Sequence, residues 1–331
     1  MTCIFAWVAF VCGYLVLVGS TAIASAESAS TPARIVFQSD RDGPYDLYTM
    51  NTDGTDVRRL TNSGPRSAVG TKRERGAVRP RWSPDRTRIV YTQIDYGAQV
   101  DRLVIATFAG RTVARLGAHT ANGAWSPDGK TLALTCVPKA SASDPDAYEQ
   151  LCLAAGGGSG VRRFVDLGQT TEPPTWSPDG TVIVASGYRS SEPSLLDDHP
   201  VLGRVPRKQP ASLDTYEMDV AVGGMPDWSH DGRSVVYASG WDSKSGSHEA
   251  NPEIYVIHVD RTGAPTGSPI RLTRHPGPDI HPAWSPHGDE IVFARKTGPE
   301  NIDIFVMDAN GKNVTQLTHG PKGVLNVAPD W

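Results

Sequence analysis

The sequence lacks most of what would announce a chemistry. Its 331 residues carry 32 basic and 36 acidic side chains, a net charge of −4, so there is no concentrated basic surface for nucleic acid. There is no Gly-x-Ser-x-Gly, which excludes a nucleophile elbow. No cofactor is expected.

Charge is missing altogether from residues 1–26. Cys3 to Gly19 is almost wholly apolar, yet short of the ~20 residues a spanning helix needs. Ala24-Ser25-Ala26 before Glu27 is a small-residue cleavage pattern. These cues predict a signal peptide over 1–26, a short segment over 27–33, and a periplasmic or secreted protein. The absence of Lys or Arg near Met1 leaves an uncleaved anchor as the alternative. Cys12 lacks a lipobox-like context, so no lipid anchor is expected, nor stable membrane insertion after cleavage.

Cysteine is scarce too. Once the leader is gone, only Cys136 and Cys152 remain. An oxidising compartment favours their pairing, with two separate buried thiols as the alternative.

What the chain does have is a recurring pentapeptide. Trp82-Ser-Pro-Asp-Arg86 is followed by copies starting at Trp125, Trp176, Trp228 and Trp284, and Trp331 ends the chain. The spacings are 43, 51, 52, 56 and 47 residues, the size of one small supersecondary unit used many times. The 33 glycines and 26 prolines, about 18% against a usual ~12%, suit many tight turns.

The copy at Trp284 shows the unit. Ile280–Trp284, Glu290–Ala294, Asp303–Met307 and Val314–Thr318 read as four strands. The turns Ser285-Pro-His-Gly288 and Asn310-Gly311 lie between them. Four antiparallel strands per 40 to 55 residues is a β-propeller blade. Ser at the first position, Pro at the second and Gly at the fourth are type I turn residues, so the pentapeptide is scaffold. Its Trp would fill the space between blades. His230 and His287, inside two copies, read as solvated turn residues. Arg86 in place of Gly suggests a slightly different turn.

The first blade lacks an opening strand, and Val324–Trp331 supplies one. Six blades over residues 34–331 follow, an all-β propeller closed by its C-terminal strand beside Arg34–Gln38. The Trp176 blade is the least legible; Val201–Val205 and Leu213–Met218 are its expected outer strands.

These turns resemble the repeats of the TolB-type WD-like propeller family. So do Asp46-Leu-Tyr-Thr-Met-Asn-Thr-Asp-Gly54 with Val57–Thr61, and Asp303-Ile-Phe-Val-Met-Asp-Ala-Asn-Gly311 with Val314–Thr318. The resemblance covers nearly all of the expected mature chain. It implies a periplasmic relative of an envelope protein. TolB-type proteins carry an N-terminal α/β domain, for which residues 27–33 leave no room. The repeats also resemble the propellers of prolyl-oligopeptidase-type enzymes, which need a hydrolase domain.

Loop lengths indicate a binding face. The pentapeptide turns and third-to-fourth-strand turns are short. The opposite face carries Asn62–Gly76, Val137–Asp146, Tyr188–His199, Gly240–Asn251 and His275–Asp279, and long loops on a rigid scaffold usually carry function. Residues entering the inner strands there are Arg79, Asn122, Glu172, Asp279, His281 and Asn326. The rim adds Arg66, Lys72, Arg73, Arg75, Asp197, Asp198, His199, Trp241, Asp242, His248 and His275.

Three positions before each Trp stand Arg79, Asn122, Pro173, Met225, His281 and Ala328. One histidine among six does not form the histidine cage of propeller uronate lyases. A mixed metal set of His275, Asp279 and His281 is weighed against a polar, water-filled channel with ordinary histidines. The reading that follows is a monomeric, non-enzymatic binding module. Its partner would be an envelope protein or a polar polymer. The alternative is a polysaccharide lyase or hydrolase working at the channel mouth.

Overall fold

The computed structural model describes residues 34–64, 75–137, 150–165, 172–187, 201–208, 217–222, 224–242 and 247–331. These form 24 strands. The first blade pairs β1 (Arg34–Ser39), β2 (Asp46–Asn51) and β3 (Arg58–Arg59) with β24 (Asn326–Asp330) in the order β24-β1-β2-β3. The second holds β4 (Arg75–Trp82), β5 (Arg88–Asp95), β6 (Val100–Thr107) and β7 (Thr112–Arg115). The third holds β8 (Thr120–Trp125), β9 (Thr131–Cys136), β10 (Gln150–Ala155) and β11 (Arg162–Val165).

The fourth holds β12 (Thr175–Trp176), β13 (Val182–Gly187), β14 (Val201–Pro206) and β15 (Glu217–Val222). The fifth holds β16 (Gly224–Trp228), β17 (Ser234–Asp242), β18 (Ser247–His258) and β19 (Ile270–Arg271). The sixth holds β20 (Asp279–Trp284), β21 (Glu290–Lys296), β22 (Ile302–Asp308) and β23 (Thr315–Gln316). All pairings within the blades are antiparallel, and β24 closes the ring against β1. Six clusters of buried apolar side chains lie at the six junctions between consecutive blades, each with one repeat Trp.

Two expectations about strands need correction. The outer strand of the fourth blade is Glu217–Val222, four residues later than expected. The Gly240–Asn251 segment is mostly not a loop: β17 and β18 continue as a hairpin, pairing Trp241 with His248 and Asp242 with Ser247.

The pentapeptide behaves as turn chemistry requires. Gly129 donates its N–H to the Ser126 carbonyl at 2.8 Å, and the Ser126 hydroxyl donates to the Asp128 carboxylate at 2.6 Å. Asp128 also receives the Lys130 N–H at 3.1 Å, and the Ser126 hydroxyl holds its pKa below the usual carboxylate value. Where His287 replaces Asp, Ser285 turns to Asp289 instead. Arg86 forms the same turn as glycine does, not a different one: its N–H reaches the Ser83 carbonyl at 2.8 Å, with a left-handed φ of 57°.

Blade spacing depends on glycine at the third-to-fourth-strand turns. Gly54 has φ +82°, and a Cβ there would stand 2.5 Å from the Leu317 carbonyl oxygen of the sixth blade. Gly110 meets Leu60 of the first blade in the same way, at 2.3 Å. The acids opening the third strands explain the recurring Leu-Thr segments: Asp46 accepts from Thr61, and Asp303 from Thr318. Cys136 and Cys152 are joined in a disulfide between β9 and β10, with Cα atoms 5.9 Å apart.

Candidate functional site

The innermost strands build the site, and a repeated bulge aims their side chains. In five of them the residue three before the Trp is left-handed: Arg79, Asn122, Met225, His281 and Ala328 have φ between 49° and 58°. Pairing skips at these points, as between Val78 and Arg81. Such a bulge bends the strand and re-aims a side chain, at a cost of roughly 1 kcal/mol for each non-glycine residue. Proline follows in four of the five, at Pro80, Pro226, Pro282 and Pro329. An innermost strand has an unpaired edge, so a missing N–H is tolerated there. Pro173 has φ fixed negative and cannot make the bulge. Accordingly β12 pairs over only Thr175 and Trp176.

At the long-loop mouth a cavity of about 400 Å³ lies between the first three blades. Arg79 is its hub. Its backbone N–H donates to Gln38 Oε1 at 2.7 Å, and its guanidinium to Asn122 Oδ1 at 2.8 Å and Glu172 Oε1 at 3.4 Å. Tyr45, Tyr96 and Asp101 complete the walls. Burial pushes the Asp101 carboxyl up, against the opposing pull of His119 and Arg79. Burial likewise raises Glu172, opposed by Arg79 and Arg81, and its Oε2 has no hydrogen-bond partner.

Below this mouth the channel is stoppered. The cavity among Pro80, Pro173, Pro329, Met225, His281 and Ala328 is about 10 Å³. One water needs roughly 10–15 Å³, so the expected water-filled channel is closed at its waist. His281 sits there with Nδ1 unpartnered. Burial first, then Arg79 and Arg81, holds its pKa down to about 3, so the imidazole is neutral.

Beyond the waist a second cavity, about 360 Å³, opens among the pentapeptides. Several of its polar groups, Arg81, Thr175, Asp227 and Asp330, stand just before a Trp. Asp330 Oδ1 pairs with Arg81 at 2.7 Å while its Oδ2 accepts the Trp82 N–H at 2.7 Å. Asp227 Oδ2 accepts the Trp284 N–H at 2.8 Å, and Thr175 the Trp228 N–H at 3.1 Å. Each contact bridges one blade to the next. Burial pushes Asp227 up to about 6, with Arg81 the largest opposing influence.

Of the residues singled out in the sequence, Arg79, Asn122 and Glu172 come together, and His281 lies beside them in the waist. Asp279 and Asn326 line neither the mouth nor the waist. Asp279 is fully buried in a two-pronged pair with Arg295, both contacts at 2.7 Å. Asn326 accepts from Arg41 at 2.7 Å and donates to Asp303 at 3.1 Å. The mixed metal set does not form: the ring of His275 bonds Gly277, and no three metal-ligating groups converge among the described residues. The side chains of Trp241, Asp242 and His248, and residues Arg66, Lys72, Arg73, Asp197, Asp198 and His199, lie outside the described ones. Arg81, Asp227 and Asp330 were missed by sequence reasoning. Their signal was position alone, one residue before Trp.

No family model matches the chain. The uncharacterized peptidase YuxL of Bacillus subtilis is 25% identical over 240 residues, which is 69% of this chain and 31% of that protein. The Tol-Pal system protein TolB of Francisella tularensis subsp. mediasiatica is 30% identical over 94 residues, 28% of this chain and 19% of that protein. The chain therefore spans less than a third of either relative. Among solved structures, TolB from Acinetobacter baumannii superposes with a TM-score of 0.66 at 16% identity, covering 90% of this chain and 66% of the other. A chain of the nidogen/laminin complex gives 0.57 at 10% identity, covering 89% and 98%. The fold is a six-bladed β-propeller, and it is TolB-like. Among the described residues no helix is long and apolar enough to cross a membrane.

Proposed function

We propose that the chain is an exported, non-catalytic binding module of the cell envelope. It engages an envelope protein or a polar polymer through its long-loop face. The observation carrying this reading is the Arg79 hub: a backbone N–H held by Gln38 and a guanidinium braced by Asn122 and Glu172, in a cavity of about 400 Å³ flanked by two tyrosines. Large cavities with a few convergent polar groups are the usual place for a ligand. The polar groups of this mouth hold one another, as a recognition surface requires, and none is paired as nucleophile and base. The name of the Francisella relative, a Tol-Pal system protein, supports an envelope setting.

The test is affinity capture from envelope extract with wild type, Arg79→Lys and Tyr96→Ala, all first shown to be folded. Tyr96 is 50% exposed, so its truncation leaves the core intact. A partner recovered by wild type and lost with both variants supports the reading. Equal recovery by all three removes it. A parallel screen for polysaccharide cleavage would, if positive and lost in Glu172→Gln, replace it with the enzymatic alternative.

A further inference from the structure

The cavity on the pentapeptide face contains a comparison internal to the molecule. Three junctions use the same contact, in which the residue before one Trp accepts the N–H of the next blade's Trp. Thr175 makes it as a neutral group. Asp330 makes it with Arg81 as counter-ion. Asp227 makes it while forming no ion pair among the described residues, and its Oδ1 meets only the Thr175 hydroxyl, at 3.4 Å. Ala124 and Ala283 occupy the same position in two other blades. The contact therefore does not require a charge, and neither does the position.

The charge is kept at a cost, since burial disfavours the ionised form. The surrounding cations make their direct contacts elsewhere, and Arg81 acts on Asp227 only through its field. Arg81 is held by Asp330. The Arg86 guanidinium lies over the Trp82 ring, 5.7 Å from its centroid. Burial lowers the pKa of His230 below the ordinary imidazole value. Asp227 lines a cavity of about 360 Å³ whose other walls include Pro127, Pro178 and Trp176.

We propose that this cavity is a second binding site, on the face opposite the first, for an alkylammonium or alkylguanidinium group. Asp227 supplies the missing counter-ion. The indole and proline walls cover the hydrocarbon stem, a setting that favours a cation beside aromatic faces. The proposal is independent of the long-loop reading. Lysine or arginine side chains of a partner, and free small amines, share this chemistry.

The experiment is calorimetric titration of the intact protein at pH 7.5 with four probes: Nα-acetyl-lysine methylamide, Nα-acetyl-arginine methylamide, putrescine, and Nα-acetyl-norleucine methylamide as the uncharged isostere. The cationic probes are expected to bind at least about tenfold more tightly than the norleucine compound. Asp227→Asn and Asp227→Thr, the latter copying position 175, should erase that preference while remaining folded. Binding should weaken as the pH is lowered from 7.5 to 5, because Asp227 takes up a proton. Tighter binding of the amino-acid amides indicates a peptide segment, and of putrescine a free amine. Equal binding of the norleucine compound, retained preference in both variants, or no binding of any cation overturns the proposal.

Discussion

Asp330 holds two neighbours of the second blade at once, the Arg81 guanidinium and the Trp82 backbone N–H, each at 2.7 Å. Asp330 belongs to the strand that closes the ring, so this one carboxylate fastens the last strand to a blade more than 240 residues earlier. Asp330→Ala should cost about 3 kcal/mol, because it leaves a mostly buried guanidinium without its partner. Denaturant unfolding of Asp330→Ala, Arg81→Ala and the double variant would measure it. Additive single effects would show that the two residues do not act together.

Asp227 should behave in the opposite sense. Its pKa of about 6 in the folded protein lies above the ordinary carboxylate value of 3.8. Folding therefore favours the protonated acid. That contribution is complete below about pH 4 and is lost as pH rises through 6. Asp227→Asn keeps an acceptor for the Trp284 N–H and removes the charge. It should stabilise the protein by about 1–2 kcal/mol at pH 7.5 and by little at pH 4. Melting curves of both proteins across this range check it; a difference that does not grow with pH counts against the assignment.

Gly54 and Gly129 separate two kinds of glycine requirement. Both have positive φ, but a Cβ at Gly54 would strike the Leu317 carbonyl whereas one at Gly129 meets nothing within 4 Å. Gly129→Ala should cost only the backbone term, about 1 kcal/mol, and Gly54→Ala appreciably more. Chemical denaturation of the two variants compares them directly, and equal losses would refute the inter-blade contact.

The disulfide between Cys136 and Cys152 spans a sequence separation of 16. Its removal in Cys136→Ser/Cys152→Ser should lower stability by about 3 kcal/mol on the chain-entropy account. Calorimetry with and without reductant tests this, and thiol titration of native protein should find neither cysteine reactive.

The architecture was largely written in the Trp spacing, because each Trp fills one junction and there are as many junctions as blades. The channel-facing positions three before each Trp were legible for the same reason. The residues one before Trp were not. They vary as Arg, Ala, Thr, Asp, Ala and Asp, so no single residue type marks the position. Their partners are backbone N–H groups of the next blade, as with Asp227 and Trp284, and a backbone donor leaves no mark in sequence. The closed waist was hidden too. Prolines such as Pro80 and Pro329 read as turn or edge residues singly, and only the ring brings them together. The fourth blade was misjudged where its outer strand carries no Leu-Thr ending like that of Thr61 or Thr318.

The stoppered waist decides how a long polymer could be handled. The cavity at the waist, about 10 Å³, is too small to hold a sugar ring or a peptide strand. Among the described residues, a chain held at the mouth therefore meets the waist before it can reach the cavity beyond. Arg79 and Arg81 stand two residues apart on one strand, with the stopper between them.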